Sequence, residues 1–282
     1  MNRKPKLAVP PGACDTHMHF YDRAVPGAPG TFLPGHFPVE DYQALQKRLG
    51  LERVIVVQPN AYTDDNRVTL ESIAKIGKIA KGVAVVRPGV ADAELERLTR
   101  GGICGLRIMT LHGGTLGFDV MDALMARVHP FGWHANIQLD GRELPNYEAQ
   151  IKRLPGNFVI DHTGKFLEPV ETSSAAFKSL LRLLDTGRCW VKLSAPYETS
   201  KTGAPKYEDV GRLARALVKH APQRMLWASN WPHPSAREPA PPDDADLLEL
   251  LADWAPQAAT RRRILSDNPA EFYRFSDSLL RT

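Results

Sequence analysis

Cys14-Asp15-Thr16-His17-Met18-His19-Phe20 puts two imidazoles two residues apart near the end of a short apolar segment. Side chains of an extended strand repeat every two residues, so His17 and His19 project to one side. Two neutral imidazoles side by side suit a metal site or a proton-transfer site. A chance pair on a solvated strand does neither, and the motif alone leaves the three open. A third imidazole, His162, follows the apolar run that ends at Asp161. Three imidazoles meeting at one point can hold a zinc ion with a fourth position open.

For these groups to meet, the chain must carry them on elements that converge. Short apolar, β-rich runs cover Ala13–Phe20, Arg53–Gln58, Gly82–Arg87, Ile103–Met109, His134–Leu139, Phe158–Asp161, Cys189–Leu193 and Arg224–Ser229. Between them lie stretches with three-and-four apolar spacing, such as Tyr42, Leu45 and Leu49, then Leu70, Ile73 and Ile76, then Val210, Leu213 and Leu217. The runs alternate little between apolar and polar, as parallel strands covered on both faces do. Eight such strands alternating with helices predict an α/β fold, a single (β/α)8 TIM barrel. A doubly wound sheet is the alternative, but no Gly-x-Gly-x-x-Gly turn follows the first strand. The segment after Trp254 reads as extra C-terminal helices, and residues 1–282 as one domain with a core from about 10 to about 275.

In this fold, catalytic groups gather at the C-terminal ends of the strands. Here His17 and His19 end strand one, Gln58 and Asn60 strand two, and Arg107 strand four. Gln138 and Asp140 close strand five, His162 and Lys165 follow strand six, Lys192 and Tyr197 end strand seven, and Asn230 and His233 follow strand eight. The Pro/Gly-rich loops 23–38 and 234–242 have the length to cover a mouth on that side. Several residues also have a quieter reading. Arg107 can pair with a barrel carboxylate, Asp15 can brace the strand, and Lys192 is open between site and rim. His233 reads as a loop brace, and His36, His112, His129, His134 and His220 as structural or exposed.

Composition narrows the function classes. The 282 residues are 43% hydrophobic with a formal net charge of +4. The one basic cluster, Arg261-Arg262-Arg263, sits in a helical pattern and predicts a solvated face, not a nucleic-acid footprint. A mildly basic chain suits an anionic small molecule. Cys14, Cys104 and Cys189 are widely spaced and odd in number, as buried reduced thiols in a cytosolic protein are. The basic start leads into Pro10-Pro11-Gly12 and no run is long enough to cross a bilayer, so the expected location is cytoplasmic, without a membrane partner. Oligomeric state is not set by these features.

The His-x-His after strand one, Asp161-His162-Thr163-Gly164 after strand six and Trp231-Pro232-His233 after strand eight resemble the amidohydrolase superfamily. More narrowly, the chain is similar to its lactone-handling branch, the galactarolactone isomerases and the metal-free 2-pyrone-4,6-dicarboxylate lactonases. Asn230-Trp231-Pro232-His233, Ser235-Ala236-Arg237-Glu238, Arg107-Ile108-Met109, His112-Gly113-Gly114, Gly164-Lys165-Phe166 and Tyr197-Glu198 carry that likeness. Metal hydrolases of this type use a further histidine after strand five and an aspartate after strand eight, where this chain has Gln138 and Asn230. Asparagine is no base near neutral pH, so metal-activated hydrolysis lacks its base.

The resemblance implies metal-independent conversion of D-galactaro-1,5-lactone into the 1,4-lactone by intramolecular acyl transfer. Under it, His19, His162, His17 and Asn230 are the expected catalytic residues. Arg107, Lys165, Gln58, Asn60, Asp140 and Tyr197 are the expected substrate contacts, and a small anionic lactone is the partner. No cofactor is expected; zinc on His17, His19 and His162 is the alternative. The competing activities are hydrolysis of a sugar-acid or pyrone-dicarboxylate lactone and, from another class, binding without turnover.

Overall fold

The computed structural model describes residues 3–235 and 242–275. Eight parallel strands follow one another in chain order: β1 (Cys14–Met18), β2 (Arg53–Val57), β3 (Ala80–Ala84), β4 (Ile103–Met109), β5 (His134–Gln138), β6 (Phe158–Ile160), β7 (Cys189–Leu193) and β8 (Met225–Trp227). The ends of β8 and β1 meet. Thr16 Oγ1 donates to the Trp227 carbonyl at 2.8 Å, Asn230 N–H to His17 at 2.9 Å and His19 N–H to Trp231 at 2.8 Å. The (β/α)8 barrel expected from periodicity is the fold observed.

Helices α1 (Val39–Leu49), α2 (Arg67–Ile76), α3 (Asp92–Arg100), α4 (Phe118–Val128), α5 (Leu144–Arg153), α6 (Ala175–Leu184) and α7 (Glu208–His220) each follow a strand, and α8 (Asp244–Glu249) follows β8. Their formation is local chemistry. In α6 the Ser174 hydroxyl accepts the Phe177 N–H as an N-cap, and Ala176, Phe177, Leu180, Leu183 and Leu184 make one buried face. Helix α1 ends at Gly50, whose φ of 77° is the left-handed turn that returns its N–H to Gln46 and Lys47 carbonyls.

The third strand departs furthest from its expected bounds. β3 runs Ala80–Ala84 and not Gly82–Arg87, because the Val85 N–H leaves the ladder for Asn66 Oδ1 at 3.1 Å. Its start extends to Ala80, opposite Val54.

Strand β2 shows the two layers between which strand side chains alternate. Val54 and Val56 pack toward the helices, while Ile55 and Val57 join Cys14, Val83, Val159, Trp190 and Leu226 inside the barrel. Each large apolar side chain buried this way contributes about 2 kcal/mol. The C-terminal segments Ala258–Arg262, Arg263–Asp267 and Asn268–Tyr273 bring Phe272 and Tyr273 into that inner cluster. Asn268 Nδ2 anchors them by donating to the Pro222 and Met225 carbonyls at 2.9 and 2.7 Å. Apolar packing thus fills part of the barrel interior, and the polar side chains concentrate toward the C-terminal strand ends. Among the described residues no helix is long and apolar enough to cross a membrane.

Candidate active site

The last residues of β1 are held by a buried carboxylate. Asp15 accepts from Ser229 N–H (3.0 Å), Ser229 Oγ (2.5 Å), His17 N–H (3.2 Å) and Tyr42 Oη (3.0 Å), which ties β1 to β8 and α1. Asp15 is therefore the brace expected of it. Burial pushes its pKa up to about 6, against the hydrogen bonds from Ser229, His17 and Tyr42.

His17 and His19 do share one side, with Nε2 atoms 3.3 Å apart. Their partners assign the proton positions. His19 Nδ1 lies 2.8 Å from the Val57 carbonyl, which only accepts, so His19 carries its proton there. Its Nε2 then accepts, and His17 Nε2 donates. His17 Nδ1 is left bare and faces Lys192 Nζ at 3.2 Å. Burial lowers His17 to about 4, despite Asp161, and lowers His19 well below the usual histidine range. Both rings are neutral at pH 7.

Lys192 lies inside the barrel, fully buried. Its ammonium donates to Asn136 Oδ1 at 2.6 Å and stands 3.1 Å from Asp161 Oδ1. Asn136 Nδ2 donates to the other Asp161 oxygen at 2.7 Å. Burial raises the Asp161 pKa, but the Lys192 ammonium outweighs it and holds the carboxyl well below its usual range. Sequence left Lys192 open between site and rim; it is neither, since it sits beneath the mouth.

Above this layer a cavity of about 550 Å³ opens, lined by His19, Asn60, Arg107, Gln138, His162, Lys165, Glu198 and Asn230 among others. Gly30, Thr31 and Phe32 of the long loop after β1 line it too, as do Pro234 and Ser235. Arg237 and Glu238 lie outside the described residues. His162 and Asn230 adopt left-handed backbone, φ 52° and 60°, where the chain turns sharply after β6 and β8. His162 Nδ1 bonds Ser194 Oγ at 2.8 Å, and its Nε2 has no protein partner among the described residues. Burial, then Lys165 and His17, lower His162 well below the usual range.

Arg107 donates to the Gln58 carbonyl (2.6 Å) and to Gln138 Oε1 (3.2 Å), leaving its buried Nε without a partner among the described residues. It pairs with no carboxylate within salt-bridge distance there. Lys165 forms an ion pair with Glu198. Burial, with the nearby Arg107, lowers the Lys165 pKa to about 7, and Asp161 favours the charged form. Asn230 Nδ2 donates to Tyr197 Oη (2.8 Å) and Glu198 Oε1 (3.3 Å).

Of the ten residues predicted for the site, His19, His162, Asn230, Arg107, Lys165 and Asn60 line the cavity. Four do not. Gln58 is spent on the loop that follows β2: its amide donates to the Thr63 and Asp65 carbonyls, and its oxygen accepts from Thr69. Asp140 pairs with Arg142 and accepts the Arg142 and Leu167 N–H groups. Tyr197 is held between Asn230 and His233 Nδ1 (2.9 Å), and His17 lies below His19. His233 is the brace expected, its Nε2 being 3.1 Å from Asp244. Sequence reasoning missed the roles of Glu198, Ser194, Asn136 and Asp161. The register Ile160↔Val191 sets Asp161 beside Lys192, and a lysine near the end of an otherwise apolar strand was the one signal that such a partner existed.

A family model described as Amidohydrolase matches residues 14–275. The chain belongs to the amidohydrolase family. It is 39% identical over 276 residues to a D-galactarolactone isomerase of Agrobacterium fabrum, covering 96% of this chain and 94% of that one. It is 34% identical to a 4-sulfomuconolactone hydrolase of Rhizobium radiobacter, covering 95% and 91%. A crystal structure of an Agrobacterium tumefaciens protein, 38% identical and covering 97% and 98%, superposes with a TM-score of 0.92. This amidohydrolase is thus an enzyme, similar to relatives named as a lactone isomerase and a lactone hydrolase.

Its residues do not fit a catalytic metal as they stand. His17 Nε2 and His19 Nε2 have a spacing that two ligands of one zinc would show, at about 2.0–2.1 Å each. Among the described residues, however, the three-ligand grouping within reach is His17, Asp161 and His162, and the Lys192 ammonium stands against two of these. At the mouth, the side chains at the ends of β5 and β8 are the neutral Gln138 and Asn230.

The buried neutral histidines should make this amidohydrolase acid-sensitive. A histidine with a lowered folded pKa binds fewer protons folded than unfolded, so its stabilising contribution is present above about 6.5 and is lost as pH falls toward the folded pKa. His17 at about 4 and His134 at about 3 each lose about 2 kcal/mol between pH 7 and pH 5. Asp15, raised to about 6, works the other way and returns about 1 kcal/mol. Urea unfolding at the two pH values should therefore show lower stability at pH 5; equal or higher stability would contradict the neutral-histidine assignment.

Proposed function

We propose that this amidohydrolase isomerises an anionic six-membered aldarate lactone, D-galactaro-1,5-lactone, to its 1,4-isomer without a metal. The observation that carries the reading is an uncommitted imidazole nitrogen, His162 Nε2, in a cavity that also holds Arg107 and Lys165 and has Asn230 where a metal hydrolase has its base. The 39% identity to the Agrobacterium isomerase supports the substrate class.

In the proposed reaction the C4 hydroxyl attacks the C1 carbonyl and the ring oxygen O5 leaves. The nucleophile comes with the substrate, so proximity supplies much of the acceleration. His162 Nε2 takes the C4 hydroxyl proton and returns it to O5, so one imidazole serves both transfers. Nδ1 keeps its proton and donates a hydrogen bond to Ser194 Oγ throughout, which holds the ring in place. His162 has a lowered pKa, so its imidazolium is short-lived and gives the proton up readily. Arg107 binds the free carboxylate, with Lys165 and Asn60 as further contacts. His19, whose Nε2 already accepts from His17, orients and does not shuttle.

A lactone hydrolase is the second reading. Glu198 favours it, because it brings a carboxylate into the cavity where Asn230 cannot serve as base. Metal-stripped enzyme incubated with D-galactaro-1,5-lactone and followed by proton NMR separates the two. The 1,4-lactone without open diacid is the expected product, and direct formation of diacid would establish hydrolysis instead. Asn230→Asp should then release open diacid alongside the isomer, by adding a carboxylate beside Glu198 that can activate water. Unchanged products would mean that Asn230 is not what suppresses water attack.

A further inference from the structure

We infer that the Lys192 ammonium occupies the cation position of this barrel and sets the proton positions of His17 and His19. Removing it would turn His17, Asp161 and His162 into a divalent-metal site. Three acceptors surround Nζ: Asn136 Oδ1 at 2.6 Å, Asp161 Oδ1 at 3.1 Å and His17 Nδ1 at 3.2 Å. An ammonium has three protons and no lone pair, so each acceptor must present an unprotonated atom to it. That requirement leaves His17 protonated on Nε2, which lets it donate to His19 and leaves His19 protonated toward Val57.

Lys192 does not line the cavity, and the proposed reaction assigns it no contact with substrate. Two of its three partners, His17 and Asp161, nonetheless belong to a grouping of metal-ligand type that His162 completes. The ligand atoms of His17, Asp161 and His162 lie within 4.8 Å of one another, all buried. A divalent ion among them would sit within a few ångströms of the ammonium, in a region of low dielectric where like charges repel strongly. The ammonium is also tethered to the chain, so no chelator removes it.

The inference goes beyond the lactone reading and is tested without turnover. Chelator-stripped native protein exposed to zinc and desalted should retain substoichiometric metal. Lys192→Met should retain about one zinc per chain, and Lys192→Met/Asp161→Asn should retain none. Stoichiometric zinc on the native protein, or none on a folded Lys192→Met, would overturn the inference. Should Lys192→Met fail to fold, nitrogen-15 spectra of histidine-labelled native protein decide at neutral pH. A bare His17 Nδ1 with a protonated Nε2, and the reverse on His19, is expected. A proton on His17 Nδ1 would overturn it. Failure here leaves the lactone reading standing, and the wrong lactone leaves these results untouched.

Discussion

Replacing His162 with alanine is expected to reduce turnover by about 10²–10⁴-fold, the range for loss of a positioned general acid–base group, while the protein stays folded. The size follows from the accounting of imidazole nitrogens. His19 Nδ1 is held by Val57 and its Nε2 by His17, and His17 Nδ1 faces Lys192. Of His17, His19 and His162, His162 alone keeps a nitrogen without a partner among the described residues and facing the cavity, so neither of the other two can replace it as the shuttle. The fold should tolerate the change, because the ring's one polar contact is to the Ser194 hydroxyl, which can turn elsewhere. Steady-state rates together with circular dichroism check both halves. Partial recovery with added imidazole would separate a lost proton shuttle from a collapsed pocket. Full activity in a folded His162→Ala would remove this residue from the mechanism.

Arg107→Met is expected to raise KM about a hundredfold, which corresponds to about 3 kcal/mol, the scale of a desolvated charge pair losing one partner. Arg107 is buried at the cavity wall, fixed by the Gln58 carbonyl and Gln138, and its Nε has no partner among the described residues. A fixed guanidinium of this kind recognises a carboxylate with little further ordering. The decisive comparison uses a lactone whose carboxylate is esterified. Against that neutral lactone, wild type and Arg107→Met should differ by far less than against the acid. An equal loss on both would mean that Arg107 holds Gln58 and Gln138 in place and does not bind the anion.

These residues also mark what could be read before any coordinates. Apolar runs and helical spacing specified the barrel, because side-chain periodicity reports local backbone geometry directly. The barrel in turn placed chemistry at the strand ends, and His19, His162, Arg107, Lys165, Asn60 and Asn230 do line one cavity. Strand ends were a coarse guide, however. Gln58 and Asp140 stand at such ends and turn away, each captured by nearby groups of its own loop. Tyr197 and His17 fall one layer behind the cavity, a distance that position along the chain does not encode.

Sequence by itself determined the fold class, the family and most of the polar groups that line the mouth. Tertiary structure alone decided which of them are free to react. Whether an imidazole can move a proton depends on what its two nitrogens touch, and those partners come from other strands: Val57 from β2, Asp161 after β6, Lys192 from β7 and Ser194 just beyond it. A buried lysine, likewise, is only an oddity in one strand until the barrel closes around it. Its meaning lies in three acceptors contributed by β1, β5 and the end of β6, and burial makes their mutual arrangement obligatory because none can turn to water instead.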